Sequence, residues 1–230
     1  MTTTSRTVRS RRWWPLWGLM ALSAIGIAGY AVPRYLTGDP ADVSLPLNPE
    51  VPLHYLSLVM HALPGGLALV IGPFQFLARL RAGRPGLHRI MGRIYMISVL
   101  AASVASIFAA TFTLDGFPVQ VAFYLLVAAW LYSLVQAYRS IRRGDVRLHR
   151  IWMIRNYALT FAAVTLRVYL MAGLLLRPVT GLTFDDVYTA SAWASFLINA
   201  VVAEYFIVQR TLAPAGRLRS GEPAPATTTG

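Results

Sequence analysis

Six long runs of apolar residues, separated by short polar stretches, dominate the sequence. Each run reaches the roughly 20 residues that a helix needs to cross about 30 Å of hydrocarbon. Backbone groups find no water inside a bilayer, so segments of this kind are helical. The pattern therefore predicts an all-α polytopic membrane protein. Its six spans cover roughly residues 13–35, 51–78, 88–112, 117–138, 149–176 and 186–209.

Composition supports this prediction. Hydrophobic residues make up 56% of the chain and charged residues 13%, whereas soluble domains carry about 25% charged residues. We expect one transmembrane domain over residues 13–210, with a disordered N-terminus, residues 1–12, and a disordered tail, residues 211–230. The chain lacks cysteine, so disulfides and thiolate metal sites are excluded. Neither His-Glu-x-x-His nor Gly-x-Ser-x-Gly occurs, so no hydrolase is predicted.

The arginines predict the orientation. They account for all 21 basic residues and for the net charge of +12, and they lie between apolar runs rather than on one soluble face. This placement argues against a nucleic-acid partner. They gather before span one, between spans two and three, between spans four and five, and after span six, while the opposite connections hold only Arg34 and Arg177. The positive-inside rule therefore places both termini in the cytoplasm.

An ungapped shift of 61 residues aligns residues 75–90 with residues 136–151, and eight of the sixteen pairs are similar. Leu-His-Arg-Ile recurs intact, which favours an internal duplication over a chance match between arginine-rich loops. The predicted repeats cover about residues 51–112 and 113–176, and they are related by an axis along the membrane normal. Spans two to five would then form a four-helix core with spans three and five diagonal.

This arrangement brings His88 and His149 together at the cytoplasmic end, accompanied by Gln75 and Gln136. Two neutral imidazoles that approach from opposite sides can ligate one haem b iron. The first hypothesis is therefore a haem-binding electron-transfer protein that works with a membrane quinone or a redox partner. In the alternative, both histidines are interfacial residues that bond loop carbonyls or lipid phosphates.

A second candidate site lies towards the other surface. His54 and His61, seven residues apart, share a face of span two, and Arg167 shares a face of span five with Asn156. An arginine inside a span normally faces the protein interior or water, although it can also extend to the lipid headgroups.

Pro64-Gly65-Gly66 and Gly72-Pro73 predict two breaks in span two. Broken helices occur at binding sites in membrane proteins, and a packing kink is the alternative interpretation. Together with Arg167, these breaks support a second hypothesis, a transporter or scaffold that binds a small anion or a lipid.

Two segments, residues 61–95 and 149–167, resemble an uncharacterised bacterial family, domain of unknown function 2306. They carry the runs Gly72-Pro73-Phe74-Gln75-Phe76, Leu87-His88-Arg89-Ile90-Met91-Gly92-Arg93-Ile94-Tyr95 and His149-Arg150-Ile151-Trp152-Met153-Ile154-Arg155-Asn156-Tyr157-Ala158-Leu159-Thr160. The resemblance implies a multi-pass protein of the bacterial inner membrane without an assigned activity.

The histidine-bearing core is also distantly similar to cytochrome b561-type proteins, which hold two haems. The repeat places Asp115 and Ala122 on span four where span two has His54 and His61, so at most one bis-histidine haem is expected.

Overall fold

All regular structure in the described part of the chain, residues 14–43 and 46–211 of a computed structural model, is helical. Six of the described helices are long and apolar enough to cross a membrane, which confirms the predicted fold. In chain order, spans one to six are Trp14–Tyr35, Leu53–Gln75, Pro85–Thr111, Phe117–Arg142, Val146–Thr180 and Phe184–Gln209. The predicted disorder of residues 1–12 and 212–230 lies outside the described residues.

Local sequence explains where several helices begin and end. Span one finishes in a 3₁₀ turn, Val32–Tyr35, and a second 3₁₀ turn, Pro40–Asp42, follows it. A short helix, Ala78–Gly83, precedes span three. Span three starts at Pro85, where the missing N–H costs nothing because the first turn has no acceptor for it. Span five stops at Gly181, whose φ of +69° is the left-handed conformation that favours glycine.

Spans two to five form a four-helix bundle. Span two packs along span three, span three against span four, and span four against span five, while span five returns to span two. Spans three and five are therefore diagonal, as the sequence indicates. Span six packs against spans four and five, and span one packs against span two and the second half of span five. The duplication itself stays a prediction.

The predicted breaks in span two are wrong, because one continuous helix passes through both Pro64 and Pro73. A proline leaves the carbonyl four residues before it without a donor. For Pro73 that carbonyl belongs to Leu69, and it accepts a hydrogen bond from the Tyr157 hydroxyl at 3.1 Å. Span five thus replaces the bond that span two cannot make.

Span five contains an interruption that the sequence did not reveal. Its helices, Val146–Thr160 and Ala162–Thr180, meet at Phe161. The Thr160 hydroxyl donates to the Asn156 carbonyl at 3.0 Å, a contact that often bends helices. The Phe161 carbonyl then accepts from the Val164 N–H at 2.9 Å, so the next turn is tightened.

Candidate functional site

We call the end of the bundle that carries His88 and His149 the inner end, following the predicted orientation. Each histidine is the fourth residue of its helix, because span three begins at Pro85 and span five at Val146. The Asp145 carboxylate caps span five by accepting the Leu148 N–H at 2.8 Å. These helix starts place both imidazoles at one end of the bundle.

His149 is fixed by a single hydrogen bond. Its Nδ1 lies 2.8 Å from the carbonyl oxygen of Ala137 on span four. A carbonyl only accepts, so Nδ1 carries the proton and the neutral ring keeps its lone pair on Nε2. Metal-binding imidazoles in proteins are commonly oriented in this way.

His88 faces the same region. Its Nδ1 is buried and has no hydrogen-bond partner among the described residues. Arg81 and His149 both lie close enough to influence the His88 ring electrostatically. The structure therefore places the two predicted histidines near each other at the inner end.

Gln75 packs against span three one turn from His88, and the N–H₂ group of its side-chain amide has no partner among the described residues. The residue is 8% exposed, and its Nε2 is buried. Its Oε1 lies against Gly92, one turn beyond His88, and its backbone carbonyl accepts from Arg81 Nη1 at 3.1 Å. Gln75 therefore presents an unused N–H₂ group near the histidines.

Gln136, the other predicted glutamine, directly precedes Ala137 and is partly buried. Its backbone carbonyl accepts from the Ser140 hydroxyl at 2.7 Å.

The inner cluster, as we define it, consists of Gln75, Arg81, His88, His149 and Arg150. Partial burial and, secondly, the charge of Arg150 lower the pKa of Arg81. Arg81 stays charged at neutral pH, and a nearby anion would offset the cost of its burial and the repulsion from Arg150. The cluster offers imidazoles, guanidiniums and an amide N–H₂, which together suit a ligand with a metal centre and anionic groups.

A second polar group, the central layer, fills the bundle between spans three, four and five. Asn156 is fully buried: its Nδ2 donates to the Trp130 carbonyl and the Ser133 hydroxyl, both at 2.9 Å, and its Oδ1 accepts from the Tyr95 hydroxyl at 2.7 Å. Thr160 Oγ1 contacts the same hydroxyl at 2.8 Å and accepts from the Trp130 indole at 2.9 Å. Protein groups thus use the polar atoms of Asn156, a predicted ligand-binding residue.

The outer cluster lies beyond this layer and consists of Tyr35, Tyr55, His61, Arg167 and Tyr188. Arg167 Nη1 donates to the Ala163 carbonyl, one turn closer to the inner end, at 2.7 Å. The side chain therefore turns back into the bundle instead of extending towards the outer surface. His61 Nδ1 lies 3.0 Å from the Ala102 carbonyl, and the charge of Arg167 acts on its ring.

His54, the third residue predicted for the outer site, binds the loop that precedes span two. Its Nδ1 accepts the Asn48 backbone N–H at 2.9 Å. The structure therefore places Arg167 close to His61. His54 instead forms a hydrogen bond with the backbone of Asn48.

A family model described as a predicted membrane protein, DUF2306, matches residues 58–207. The chain belongs to this family. The match runs from span two into span six, so it includes the whole inner cluster and the central layer. No curated protein and no solved structure matches the chain. For this DUF2306 protein, the similarity to cytochrome b561 stays a prediction.

Sequence reasoning missed one polar pair in the DUF2306 chain. Arg155 Nη2 donates to Glu204 Oε2 at 2.9 Å, the ion pair found among the described residues, and the guanidinium lies 4.4 Å from the centre of the Trp152 ring. The pair lines a cavity of about 160 Å³ between spans four, five and six. The contact between Arg155 and span six is set by packing that no short motif encodes.

Proposed function

We propose that this DUF2306 protein binds one haem b at its inner end, that His88 and His149 would hold its iron, and that the haem supports one-electron transfer. The observation that supports this most directly is the placement of two imidazoles from diagonal spans near each other at one end of the bundle, one of them already oriented through Nδ1. Imidazole pairs are a common axial ligand set for haem iron.

Each residue of the inner cluster has a role in this proposal. The Ala137 carbonyl fixes the ring plane of His149 and directs Nε2 towards the ligand. His88 Nδ1 has no partner among the described residues. In this proposal the bound haem supplies the group that holds the His88 ring. When bound, haem supplies a reversible one-electron couple of its iron.

The positive groups would neutralise the haem propionates. Arg81 and Arg150 lie near each other at the inner end, and guanidiniums bind carboxylates through paired hydrogen bonds. The free Nε2 of Gln75 offers a further donor. The proposal includes an electron-exchange partner, either a membrane quinone or a soluble redox protein at the inner surface.

An absorption spectrum of the purified protein tests the proposal. The chain is produced in haem-replete cells, extracted in a mild detergent, and measured as isolated and after reduction with dithionite. We expect a Soret band that shifts on reduction, together with the α and β bands of a six-coordinate haem b. His88→Ala and His149→Ala should each remove or strongly diminish these bands.

His54→Ala is the matched control, because it removes an imidazole that holds a loop at the other end of span two. It should leave the Soret band in place. Size-exclusion profiles separate loss of haem from loss of fold in all three variants. Absence of a Soret band, or a band unaffected in both His88→Ala and His149→Ala, would reject the proposal.

The alternative function, a transporter or scaffold for a small anion or a lipid, loses one of its two supports because span two is continuous. Its other support, Arg167, is independent of the inner cluster.

A further inference from the structure

Arg167 carries a positive charge inside the bundle without a described acidic partner. It lies on span five, eleven residues beyond Asn156, or about 16 Å further along the axis. Among the described residues, no carboxylate lies within ion-pair distance of its guanidinium. Its one described hydrogen bond, to the Ala163 carbonyl, uses a single N–H of five. Charges at such depths are costly and usually mark a functional site.

Tyrosines from spans one and six lie around this guanidinium, and a tyrosine of span two lies next to them. The charge of Arg167 acts on Tyr35 at the end of span one and on Tyr188 of span six, which is 6% exposed. Tyr55 of span two interacts in turn with Tyr35, and its hydroxyl is buried without a partner among the described residues. Asp115 also acts on Tyr188, but its carboxylate accepts the Thr113 hydroxyl at 2.6 Å.

We propose that the outer cluster binds an oxyanion, a carboxylate or a phosphate, with Arg167 as its counter-charge and the Tyr55 hydroxyl as a hydrogen-bond donor. A planar guanidinium matches such anions through two parallel hydrogen bonds. Since Nδ1 of His61 donates to Ala102, its Nε2 can accept from the guanidinium and hold it in place. The anion is either a small solute or the phosphate of an anionic lipid headgroup.

Thermal unfolding of the detergent-purified protein tests this site. Inorganic phosphate and acetate are compared with chloride at equal ionic strength, in a neutral detergent. In parallel, the protein is placed in phosphatidylcholine nanodiscs with and without phosphatidylglycerol. Saturating ligand should raise the Tm by about 5 °C or more. A rise with phosphate or acetate identifies a solute site, and a rise confined to phosphatidylglycerol identifies a headgroup site.

Two variants decide whether the shift arises at the outer cluster. Arg167→Gln should abolish the rise in Tm, because the paired N–H donors of the guanidinium and its positive charge are lost. Tyr55→Phe removes one hydroxyl and should weaken the apparent affinity about fivefold to tenfold, which keeps the test valid if Arg167→Gln does not fold.

Arg177→Gln is the matched control, since it removes an exposed arginine of the same span whose Nε bonds the Leu182 carbonyl. It should retain the full shift. The proposal is overturned if no anion or lipid raises the Tm, or if the shift survives in Arg167→Gln or in Tyr55→Phe with unchanged affinity. It is also overturned if Arg177→Gln loses the shift as completely as Arg167→Gln does. These outcomes do not depend on the absorption spectrum that tests haem binding at the inner cluster, so the two proposals can fail separately.

Discussion

At the scale of single residues, the central layer explains how polar side chains are tolerated in the middle of the bundle. Its protons can be assigned so that each is used once: the Trp130 indole donates to Thr160, Thr160 to the Asn156 carbonyl, and Tyr95 to the Asn156 side chain. Asn156 donates to Ser133 and to the Trp130 carbonyl, and Ser133 donates to that same carbonyl. The chain of donors begins and ends on Trp130, so every described donor in it is satisfied.

Tyr95→Phe tests this layer, because it removes one hydroxyl and leaves the ring volume unchanged. Asn156 Oδ1 loses its donor, and the Thr160 hydroxyl loses its polar contact with Tyr95. We expect a loss of about 1–2 kcal/mol in the free energy of unfolding, measured by SDS titration of the detergent-solubilised protein. Tyr138→Phe, at an exposed position, should change it by less than about 0.5 kcal/mol. Equal effects of the two variants would contradict the assignment.

The spacing along span five placed Asn156 correctly on the inward face, but it did not reveal what the side chain meets there. Helical periodicity gives the face of one helix. The partners Tyr95 and Ser133 come from spans three and four, and their contact depends on how three helices are rotated against one another. For the same reason, the stripe alone could not tell a ligand-binding amide from a satisfied structural one.

At the scale of elements, span two is held by its neighbours at the point where its own hydrogen bonding is incomplete. The Tyr157 hydroxyl donates to the Leu69 carbonyl, and the Trp17 indole donates to the Pro73 carbonyl at 2.9 Å. Gly72 allows this, because the Tyr157 ring occupies the space that a Cβ at that position would need. Proline in the sequence predicts a lost bond, whereas the replacement donors come from spans one and five and are visible only in the packed bundle.

Gly72→Ala should therefore displace Tyr157 and break its bond to Leu69. Overpacking of this kind costs about 1–3 kcal/mol of unfolding free energy, again measured by SDS titration. Gly18→Ala is the control, since a Cβ there meets nothing within 4 Å. Because alanine favours the helix over glycine, that variant should be neutral or slightly more stable. A Gly72→Ala protein as stable as the Gly18→Ala protein would show that Tyr157 does not need this space.

At the scale of the whole molecule, two interactions join positions 61 residues apart, the offset at which the sequence matches itself: one is a hydrogen bond and the other is electrostatic. Tyr95 bonds Asn156, and His88 interacts with His149. Both pairs link the diagonal spans three and five, which is the placement expected for equivalent positions near a pseudo-twofold axis. The number of spans and their order could be predicted because length and hydropathy determine them, and the diagonal could be predicted from the internal match between residues 75–90 and 136–151. The interruption at Phe161 and the pair of Arg155 with Glu204 could not, since both arise from contacts between elements.

The orientation of the whole molecule in the membrane is a further prediction, and the absence of cysteine from the sequence makes it simple to measure. A single introduced thiol is then the only target for a membrane-impermeant maleimide. Ala82→Cys lies in the short helix between spans two and three, beside Arg81, and Leu114→Cys lies in the connection between spans three and four. Both positions are exposed.

Arginine-rich connections remain in the cytoplasm because moving several guanidiniums across a bilayer is unfavourable. In intact spheroplasts we therefore expect the reagent to label Leu114→Cys and to leave Ala82→Cys unmodified until detergent is added. The reverse labelling pattern would mean that the bundle has the opposite orientation, with the inner cluster at the outer surface of the membrane. Labelling of both variants before permeabilisation would mean that the arginines do not fix one orientation. Only the expected pattern puts His88 and His149 within reach of cytoplasmic electron donors, so the orientation decides which partners a haem at that end could have.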